Sequence, residues 1–229
     1  MRFLAISESA WYNSDVFYYN FQILLRDNFE ISLRECALKI GANSIGIKTI
    51  TRIILDEIHS VLEKIDEHAY EKLLSSLLSA KNIFVTGQGR SGLVSRTFAM
   101  RLTHIGLNAY CVGDATTPNI DRGDLLIACS SSGSTHITRY IAGLAKKNHA
   151  VVVAVTSHKN SPLAGQADIV VELPVKEVST NHKDSGSIQF RSTLFEQACL
   201  VYLDGIILSL VKKLKSSENE MDKRHSNLE

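Results

Sequence analysis

The stretch that most constrains the fold of this chain is Lys81–Gly92, with the sequence KNIFVTGQGRSG. A short apolar run, Ile83–Val85, leads into a glycine-rich turn, and a helical pattern follows the turn directly. This order predicts a buried strand, a loop and a helix. The N-terminus of a helix carries unpaired N–H groups and a partial positive charge, so it stabilises an anion. We therefore expect the turn at residues 87–92 to form one wall of an anion-binding site.

Composition narrows the classes of protein that fit. The chain has 229 residues, 45% of them hydrophobic, and a net charge of +1. That hydrophobic share supports a substantial core, and the near-neutral charge offers no basic field for a nucleic acid. There is no signal-peptide pattern, and no run approaches the roughly 20 apolar residues of a membrane span. We expect a cytoplasmic protein with neither a nucleic-acid nor a membrane partner.

The cysteines do not indicate a metal centre or a disulfide framework. Four are scattered through the sequence without a CxxC pair: Cys36, Cys111, Cys129 and Cys199. Cysteines spaced in this way in a cytosolic protein are expected to be reduced thiols. We therefore predict no metal site.

Strand-like and helix-like segments alternate along the chain. Before the turn, apolar residues at steps of three and four predict helices over residues 47–65 and 69–79. After it, the pattern predicts helices over 91–105, 135–147 and 193–214, and strands over 109–112, 125–129, 150–155 and 169–173. Such alternation is typical of a parallel, doubly wound sheet. The predicted fold class is α/β, with a five-stranded parallel sheet in three layers and additional N-terminal helices.

We divide the chain into three parts. Residues 46–215 form the α/β domain, and residues 216–229 form a charged C-terminal tail. Residues 1–45 form an N-terminal extension that contains Trp11 and a cluster of tyrosines and phenylalanines. Two interpretations of this extension stay open: a helical arm that packs on the domain or on a partner subunit, and a partly disordered segment.

The first loop, GQGRSG, matches the GxGxxG fingerprint of dinucleotide-binding loops, although this match alone is a weak signal. A dinucleotide site needs an acidic residue about 20 positions further on, at the end of the second strand. Asp114 lies at such a position. Against this interpretation, Arg90 and Ser91 within the fingerprint suit a phosphomonoester. A nicotinamide-dependent enzyme is retained as an alternative.

A second loop, SSSGST, follows the third predicted strand and places five hydroxyl groups around one glycine. Hydroxyls and backbone N–H groups together can surround a phosphate dianion without a lysine or a metal. The alternative is a helix cap formed by Ser134 or Thr135, but a cap needs only one hydroxyl. Because both loops follow parallel strands, they can face one site. The predicted phosphate-binding residues of this loop are Ser130, Ser131, Ser132, Gly133, Ser134 and Thr135.

The order of these motifs resembles that of the SIS-domain sugar-phosphate isomerases, and most of all the 6-phospho-3-hexuloisomerase family. The resemblance covers residues 47–228 and is carried by six stretches: GQGRSG (87–92), FAMRLTHIG (98–106), VGDATTP (112–118), SSSGST (130–135), LFEQACLVYLD (194–204) and KRHSNL (223–228). It implies a flavodoxin-like, SIS-like fold with a five-stranded sheet, a phosphosugar substrate and a homodimer or homotetramer. It implies no cofactor.

The resemblance also assigns roles to residues. It implies that Ser91 and the 130–135 loop hold the substrate phosphate and that Glu196 is the proton-transfer base. The residues alone allow another role for Glu196, because Thr193 and Glu196 match a capping box. Arg90, His104 and His225 are candidates for stabilising the reacting oxygens. His104 could instead have a purely structural role. His225 could be a solvated residue of the tail, or it could contribute to the site of a neighbouring subunit.

The reaction implied is the conversion of 3-hexulose 6-phosphate to fructose 6-phosphate through a cis-enediolate. The chain departs from the family pattern at Ser131, where the family often has glycine, and at Ser134, where it has a larger polar residue. The segment NHKDSGSIQFRST before LFEQ is also longer and more polar, and it contains His182 and Lys183. Two further alternatives are an isomerase of another phosphosugar and a non-catalytic phosphosugar-sensing SIS module. Residues 1–45 are too short and too weakly basic for a typical DNA-binding arm of such a sensor.

Overall fold

The computed structural model describes residues 46–175 and 187–228. The chain divides into two compact units, Met1–Gly46 and Ile47–Glu229, and the second unit is described below. The interpretations of residues 1–45, and those of His182 and Lys183, concern positions outside the described residues.

The second unit contains helices and strands in the alternating order that the sequence predicts. The described helices are α1 (Ile47–Leu62), α2 (Glu67–Ser79), α3 (Gly89–His104), α4 (His136–Lys147), α5 (Thr193–Leu214) and α6 (Glu218–Arg224), with a 3₁₀ turn at Ala164–Gln166. The described strands are β1 (Ile83–Gly87), β2 (Ala109–Cys111), β3 (Leu125–Cys129), β4 (Val151–Thr156) and β5 (Ile169–Glu172).

The five strands form one parallel sheet in the order β2-β1-β3-β4-β5. In this order β1 and β3 are neighbours, and the chain leaves them towards opposite faces of the sheet. A crevice forms at such a switch point, beyond the carboxyl ends of the two strands. The register pairs Gly87 with Cys129, the last residues of β1 and β3. The loops that follow these strands therefore start side by side.

The core lies in two layers, one on each face of the sheet. On one face, α1, α2, α3 and α5 bury side chains against Val85 and Ile127. On the other face, α4 buries Ala142 and Ala145 against Phe84 and Leu126. Alternate strand residues thus point to opposite layers, as the pleat of a strand requires. The three-layer, doubly wound α/β fold predicted from the sequence is confirmed.

Helix α5 has the bounds that the sequence predicts, 193–214, but it is more apolar than the expectation that no run approaches a membrane span would allow. It is the one helix among the described residues that is long and apolar enough, by length and composition, to cross a membrane. However, 56% of its most apolar stretch is buried inside the unit. Phe195, Ala198 and Tyr202, at spacings of three and four residues, all face the core. α5 is therefore a central helix of the fold, and its apolar composition follows from that position.

The C-terminal segment contains a helix that the sequence analysis missed. Ser217 caps α6 through a capping box, in which its hydroxyl accepts from the Glu220 N–H and the Glu220 carboxylate accepts from the Ser217 N–H. The hydrogen bonds lower the pKa of the Glu220 carboxyl. The S-x-x-E spacing was the available signal. This capped helix places Arg224 against the C-terminal end of α3, where its Nη1 donates to the His104 carbonyl at 3.3 Å.

Candidate active site

The first loop is a tight turn that only glycine permits. A Cβ atom on Gly92 would lie 2.6 Å from the Gly87 carbonyl oxygen, and one on Gly87 would lie 3.0 Å from the Cys129 carbonyl oxygen. Gly89 has a positive φ of 56°. Gln88 is the N-cap of α3, but within the described residues its side chain makes no capping hydrogen bond. The first N–H groups of α3 are thus presented at the turn rather than capped by a side chain, as an anion site requires.

The hydroxyls of the second loop bond mainly to the loop itself and to the strand beside it. The Ser130 and Thr135 hydroxyl oxygens are 3.0 Å apart, and the Ser132 hydroxyl accepts from the Ser134 N–H at 3.2 Å. Thr135 is the N-cap of α4, yet its side chain makes no capping hydrogen bond in the described structure. The helix-cap alternative for Thr135 is therefore wrong. The loop is a preformed hydroxyl-rich turn at the N-terminus of α4.

Polar groups at the end of β4 and in the loop that follows it hold the second loop in place. The Thr156 hydroxyl donates to the Ser131 carbonyl at 3.0 Å, and the Ser157 N–H donates to the same carbonyl at 2.9 Å. Gly133, with a φ of 60°, packs so closely on Ser161 that a Cβ would lie 2.1 Å from the Ser161 hydroxyl oxygen. The sequence analysis missed these contacts. The run TSHKNS at residues 156–161 was the signal that could have indicated them.

Glu196 lies in the first turn of α5 and forms an ion pair with Arg90 in the first turn of α3. The Glu196 side chain is 8% exposed, whereas the Arg90 side chain is 62% exposed. Ser192 also donates its hydroxyl to the second Glu196 carboxylate oxygen at 3.2 Å. A buried carboxylate is thus presented to a solvent-accessible guanidinium. Arg90, one of the three candidates for stabilising the reacting oxygens, is held directly against the predicted base.

The capping-box interpretation of Thr193 and Glu196 does not hold. Ser192 is the N-cap of α5, so Thr193 is already within the helix. The Thr193 hydroxyl donates to the Phe190 carbonyl at 2.7 Å. The Glu196 carboxylate faces Arg90 and the Ser192 hydroxyl instead of the amide that begins its own helix. The side chain is therefore directed to the crevice by a partner distant in sequence.

A pair of buried thiols shows how close α5 comes to the second loop. Cys199 on α5 and Cys129 on β3 belong to the same core cluster, and both side chains are buried. The neighbouring Cys129 thiol, burial and the negative Glu196 carboxylate hold the pKa of the Cys199 thiol well above its usual range. Cys129 directly precedes Ser130, and Cys199 is three residues after Glu196. The base candidate is therefore about one helical turn from the point where α5 meets the start of the serine loop.

The two candidate histidines lie together, but away from Arg90. The rings of His104 and His225 have centroids 5.0 Å apart. His104 ends α3, whereas Arg90 begins it, and 14 residues of helix span about 21 Å. Within one subunit, the structure does not bring either histidine to the Arg90–Glu196 pair. Their assignment to catalysis stays a prediction.

Two candidates remain: Ser91, predicted for a phosphate site at the first loop, and Asp114, which a dinucleotide site would need. Ser91 is buried, and its carbonyl accepts from the Ser95 hydroxyl at 2.8 Å. Asp114, which a dinucleotide site would need for a ribose, is engaged by Arg96 through Nη2 at 2.9 Å and 3.2 Å from its two oxygens. A carboxylate engaged in this way is not presented to a ribose hydroxyl, which weakens the dinucleotide interpretation. No group of three or more metal-binding side chains occurs in the described ranges.

The fold and the site together define a class of protein. It is a doubly wound α/β domain in which two strand-to-helix loops open at the carboxyl edge of the sheet, with a buried carboxylate beside them. The sequence profile of the SIS domain family matches residues 76–192. The chain belongs to the SIS domain family.

Individual relatives with names give a more specific comparison than the family as a whole. It is 38% identical over 176 residues to a protein of Bacillus subtilis (strain 168) named 3-hexulose-6-phosphate isomerase, covering 77% of this chain and 95% of that one. It is 40% identical to a protein of the same name from Mycobacterium gastri, with 77% and 88% covered. A solved structure of a hypothetical protein from Methanococcus jannaschii, for which a function of 3-hexulose-6-phosphate isomerase was inferred, has a TM-score of 0.68 and 34% identity. That match covers 78% of this chain and 98% of the other.

Proposed function

We propose that this protein is an isomerase that interconverts 3-hexulose 6-phosphate and fructose 6-phosphate through a cis-enediolate, with Glu196 as the proton-transfer base. The observation that carries the proposal is the buried Glu196 carboxylate, held against Arg90 in the first turn of α3, directly after the loop that follows β1. The names and high coverage of the Bacillus subtilis and Mycobacterium gastri relatives support this substrate.

The phosphate of the substrate binds at the two loops. The N-termini of α3 and α4 supply backbone N–H groups, and both helix dipoles stabilise a dianion there. Ser91 and the hydroxyls of residues 130–135 complete the phosphate shell. The Thr156 and Ser157 contacts hold the second loop in shape before substrate arrives. Binding therefore needs little reorganisation, and it fixes the sugar carbons relative to Glu196.

Glu196 moves one proton along the sugar. Its carboxylate removes the proton at C2 of the 3-ketose, and the electrons move to the C3 carbonyl oxygen to give the enediolate. The proton of the C2 hydroxyl moves to the C3 oxygen of the enediolate, and Glu196 returns its own proton to C3 as the carbonyl forms at C2. Arg90 uses Nε to hold Glu196, and its two Nη groups carry four further N–H donors. These donors are available for the negative oxygen, which a preformed cation stabilises most in a water-poor site.

His225 and His104 act, in this proposal, at the site of a neighbouring subunit. Both lie about a helix length from Arg90 in their own chain, so a homodimer or homotetramer is needed to bring them to a site. Large apolar side chains exposed on α3 and α5 are compatible with subunit contacts, among them Leu93 at 64% and Leu208 at 66% exposure. We place the assembly in the cytoplasm.

A coupled assay tests the proposal. Fructose 6-phosphate formed from 3-hexulose 6-phosphate is converted by glucose-6-phosphate isomerase and dehydrogenase, and NADPH is followed by absorbance. We expect turnover with 3-hexulose 6-phosphate, and much slower turnover with arabinose 5-phosphate when its product, ribulose 5-phosphate, is measured separately. A thermal shift with phosphosugars but no turnover of either would contradict the proposal and support a sensing module. A thermal shift with NAD or NADP alone would support the nicotinamide alternative.

A further inference from the structure

A buried carboxylate on α1 has no part in the mechanism above. Glu57 is 6% exposed, although it lies near the start of the described unit and far in sequence from every predicted site residue. Taking a carboxylate out of water is costly unless hydrogen bonds replace its hydration. The partners of Glu57 therefore indicate what its burial achieves.

Within the part of the chain that the structure describes, three donors meet the Glu57 carboxylate, and these three belong to one short segment. The Ile188 N–H donates to Oε1 at 2.8 Å. The Ser187 hydroxyl and the Gln189 side-chain amide each donate to Oε2 at 2.8 Å. The donors are separated from Glu57 by 130 to 132 positions in sequence. Each of these three donors is uncharged, so their contact with Glu57 depends on the exact placement of residues 187–189.

This segment leads directly into α5, the helix that contains Glu196. Three residues separate Gln189 from Thr193, where α5 begins, and Ser192 among them donates to the Glu196 carboxylate. Arg191 adopts a positive φ of 49°, a conformation that a non-glycine residue keeps only when its surroundings hold it. The chain is thus fixed at Glu57 on one side and at Glu196 on the other.

We infer that Glu57 is a positioning residue of the reaction: its carboxylate fixes residues 187–189, and through them Ser192 and the orientation of the Glu196 carboxylate. The inference deepens the proposed function and rests on it for the role of Glu196. Glu57 touches no substrate in this arrangement. It sets the geometry of the base, to which proton-transfer rates are sensitive.

The test uses two substitutions of Glu57 in the full chain. Glu57→Leu keeps a side chain of similar volume and removes every acceptor, so residues 187–189 lose their anchor. We expect kcat to fall by about tenfold or more, because a base displaced by a fraction of an ångström loses rate, while KM changes little. Glu57→Gln keeps one carbonyl acceptor for Ile188, and the Gln189 amide can turn to accept from it. We expect this variant to recover most of kcat.

Hydrogen–deuterium exchange gives a second readout that needs no turnover. We expect amides of residues 187–192 to exchange faster in Glu57→Leu, while the amides of β1 and β3 keep their protection. Asp56→Asn is the matched control, because Asp56 is the exposed neighbour on the same helix. We expect it to match the unsubstituted protein in kcat, KM and exchange.

The outcomes separate the inference from the proposed function. An unchanged kcat in Glu57→Leu, or unchanged exchange over residues 187–192, overturns the inference. Equal losses of kcat in Glu57→Leu and Glu57→Gln overturn it too. If Glu57→Leu does not fold, Glu57→Asp replaces it: the shorter carboxylate cannot reach all three donors, and unchanged exchange there overturns the inference. If the unsubstituted protein shows no isomerase activity, the proposed function fails, and the exchange measurements alone decide the anchoring by Glu57.

Discussion

Arg90 and Glu196 form an ion pair across 106 positions of sequence, between the first turn of α3 and the first turn of α5. The carboxylate is buried, and the guanidinium is largely open to solvent. The pair joins the start of α3, directly after the β1 loop, to the start of α5. It therefore connects the two parts of the chain to which phosphate binding and proton transfer are assigned.

Glu196→Gln is expected to abolish turnover and to leave phosphosugar binding nearly intact. The amide is isosteric with the carboxylate but cannot accept the C2 proton, whereas the loops proposed to hold the phosphate are unchanged. Single-turnover kinetics and a thermal shift with fructose 6-phosphate measure the two properties separately. Asp204→Asn, at an exposed position on the same helix, is the matched control and should retain full activity. Substantial turnover by Glu196→Gln would rule out Glu196 as the base.

Arg90→Ala is expected to lower kcat/KM by about a hundredfold. It removes the cation that holds Glu196 and that, in the proposed mechanism, stabilises the enediolate oxygen; loss of one such donor typically costs 10²–10³ in rate. Arg101→Ala, an exposed arginine in the same helix, is the control for the removal of a positive charge. Equal effects of the two substitutions on steady-state rates would mean that only the general charge of α3 matters.

Gly133→Ala is expected to damage the serine loop. The added Cβ would lie 2.1 Å from the Ser161 hydroxyl oxygen, and the backbone there has a positive φ. We expect a loss of about 2 kcal/mol in unfolding free energy and weaker phosphosugar binding, measured by denaturant unfolding and calorimetry. Gly143→Ala in α4 meets no atom within 4 Å and should stabilise the protein by about 0.5–1 kcal/mol. Unimpaired phosphosugar affinity in Gly133→Ala would argue against phosphate binding at this loop.

Asp168 provides a pH-dependent contribution to stability away from the site. Burial acts to raise the pKa of its carboxyl, but hydrogen bonds from Lys146 at 2.5 Å and from the Val152 N–H at 2.8 Å lower it below the usual 3.8. A lowered pKa in the folded state contributes stability that is present above pH 3.8 and is lost as pH falls through the folded value.

Asp168→Asn should therefore lower the free energy of unfolding at pH 7 by about 1 kcal/mol or less, since the pair is partly exposed. The difference from the unsubstituted protein should shrink below about pH 3.8. Denaturant unfolding across pH 2.5 to 7 measures it. A difference that is constant over this whole pH range would show that the Asp168 charge contributes nothing.

The role of His225 can be tested by mixing subunits. Glu196→Gln and His225→Ala should each be inactive alone if one subunit supplies the base and its neighbour the histidine. Co-refolded mixtures should regain activity, because some assemblies then contain one intact site. Full activity of His225→Ala, or no recovery in mixtures that sedimentation shows to be mixed oligomers, would contradict the shared site.

The N-termini of α6 and α5 show that a local sequence pattern is not sufficient to predict a capping box. Both segments carry an S/T-x-x-E spacing, yet Ser217–Glu220 forms a capping box and Thr193–Glu196 does not. The local pattern is the same, and a partner elsewhere in the chain decides between the outcomes. Arg90 pairs with the Glu196 carboxylate, which therefore does not bond to the start of its own helix. The N-cap of α5 is Ser192, one residue before Thr193.

The sequence by itself determined the order of strands and helices, the parallel sheet and the positions of the two loops, because hydrophobic periodicity and glycine-rich turns act over a few residues. It also indicated Glu196, Arg90 and the serine loop through motifs. Only the tertiary structure decided that Gly87 and Cys129 lie side by side, that His104 and His225 lie at the far end of α3, and that Glu57 holds residues 187–189. Those relationships join groups many positions apart, and burial and hydrogen bonding in the folded core select them.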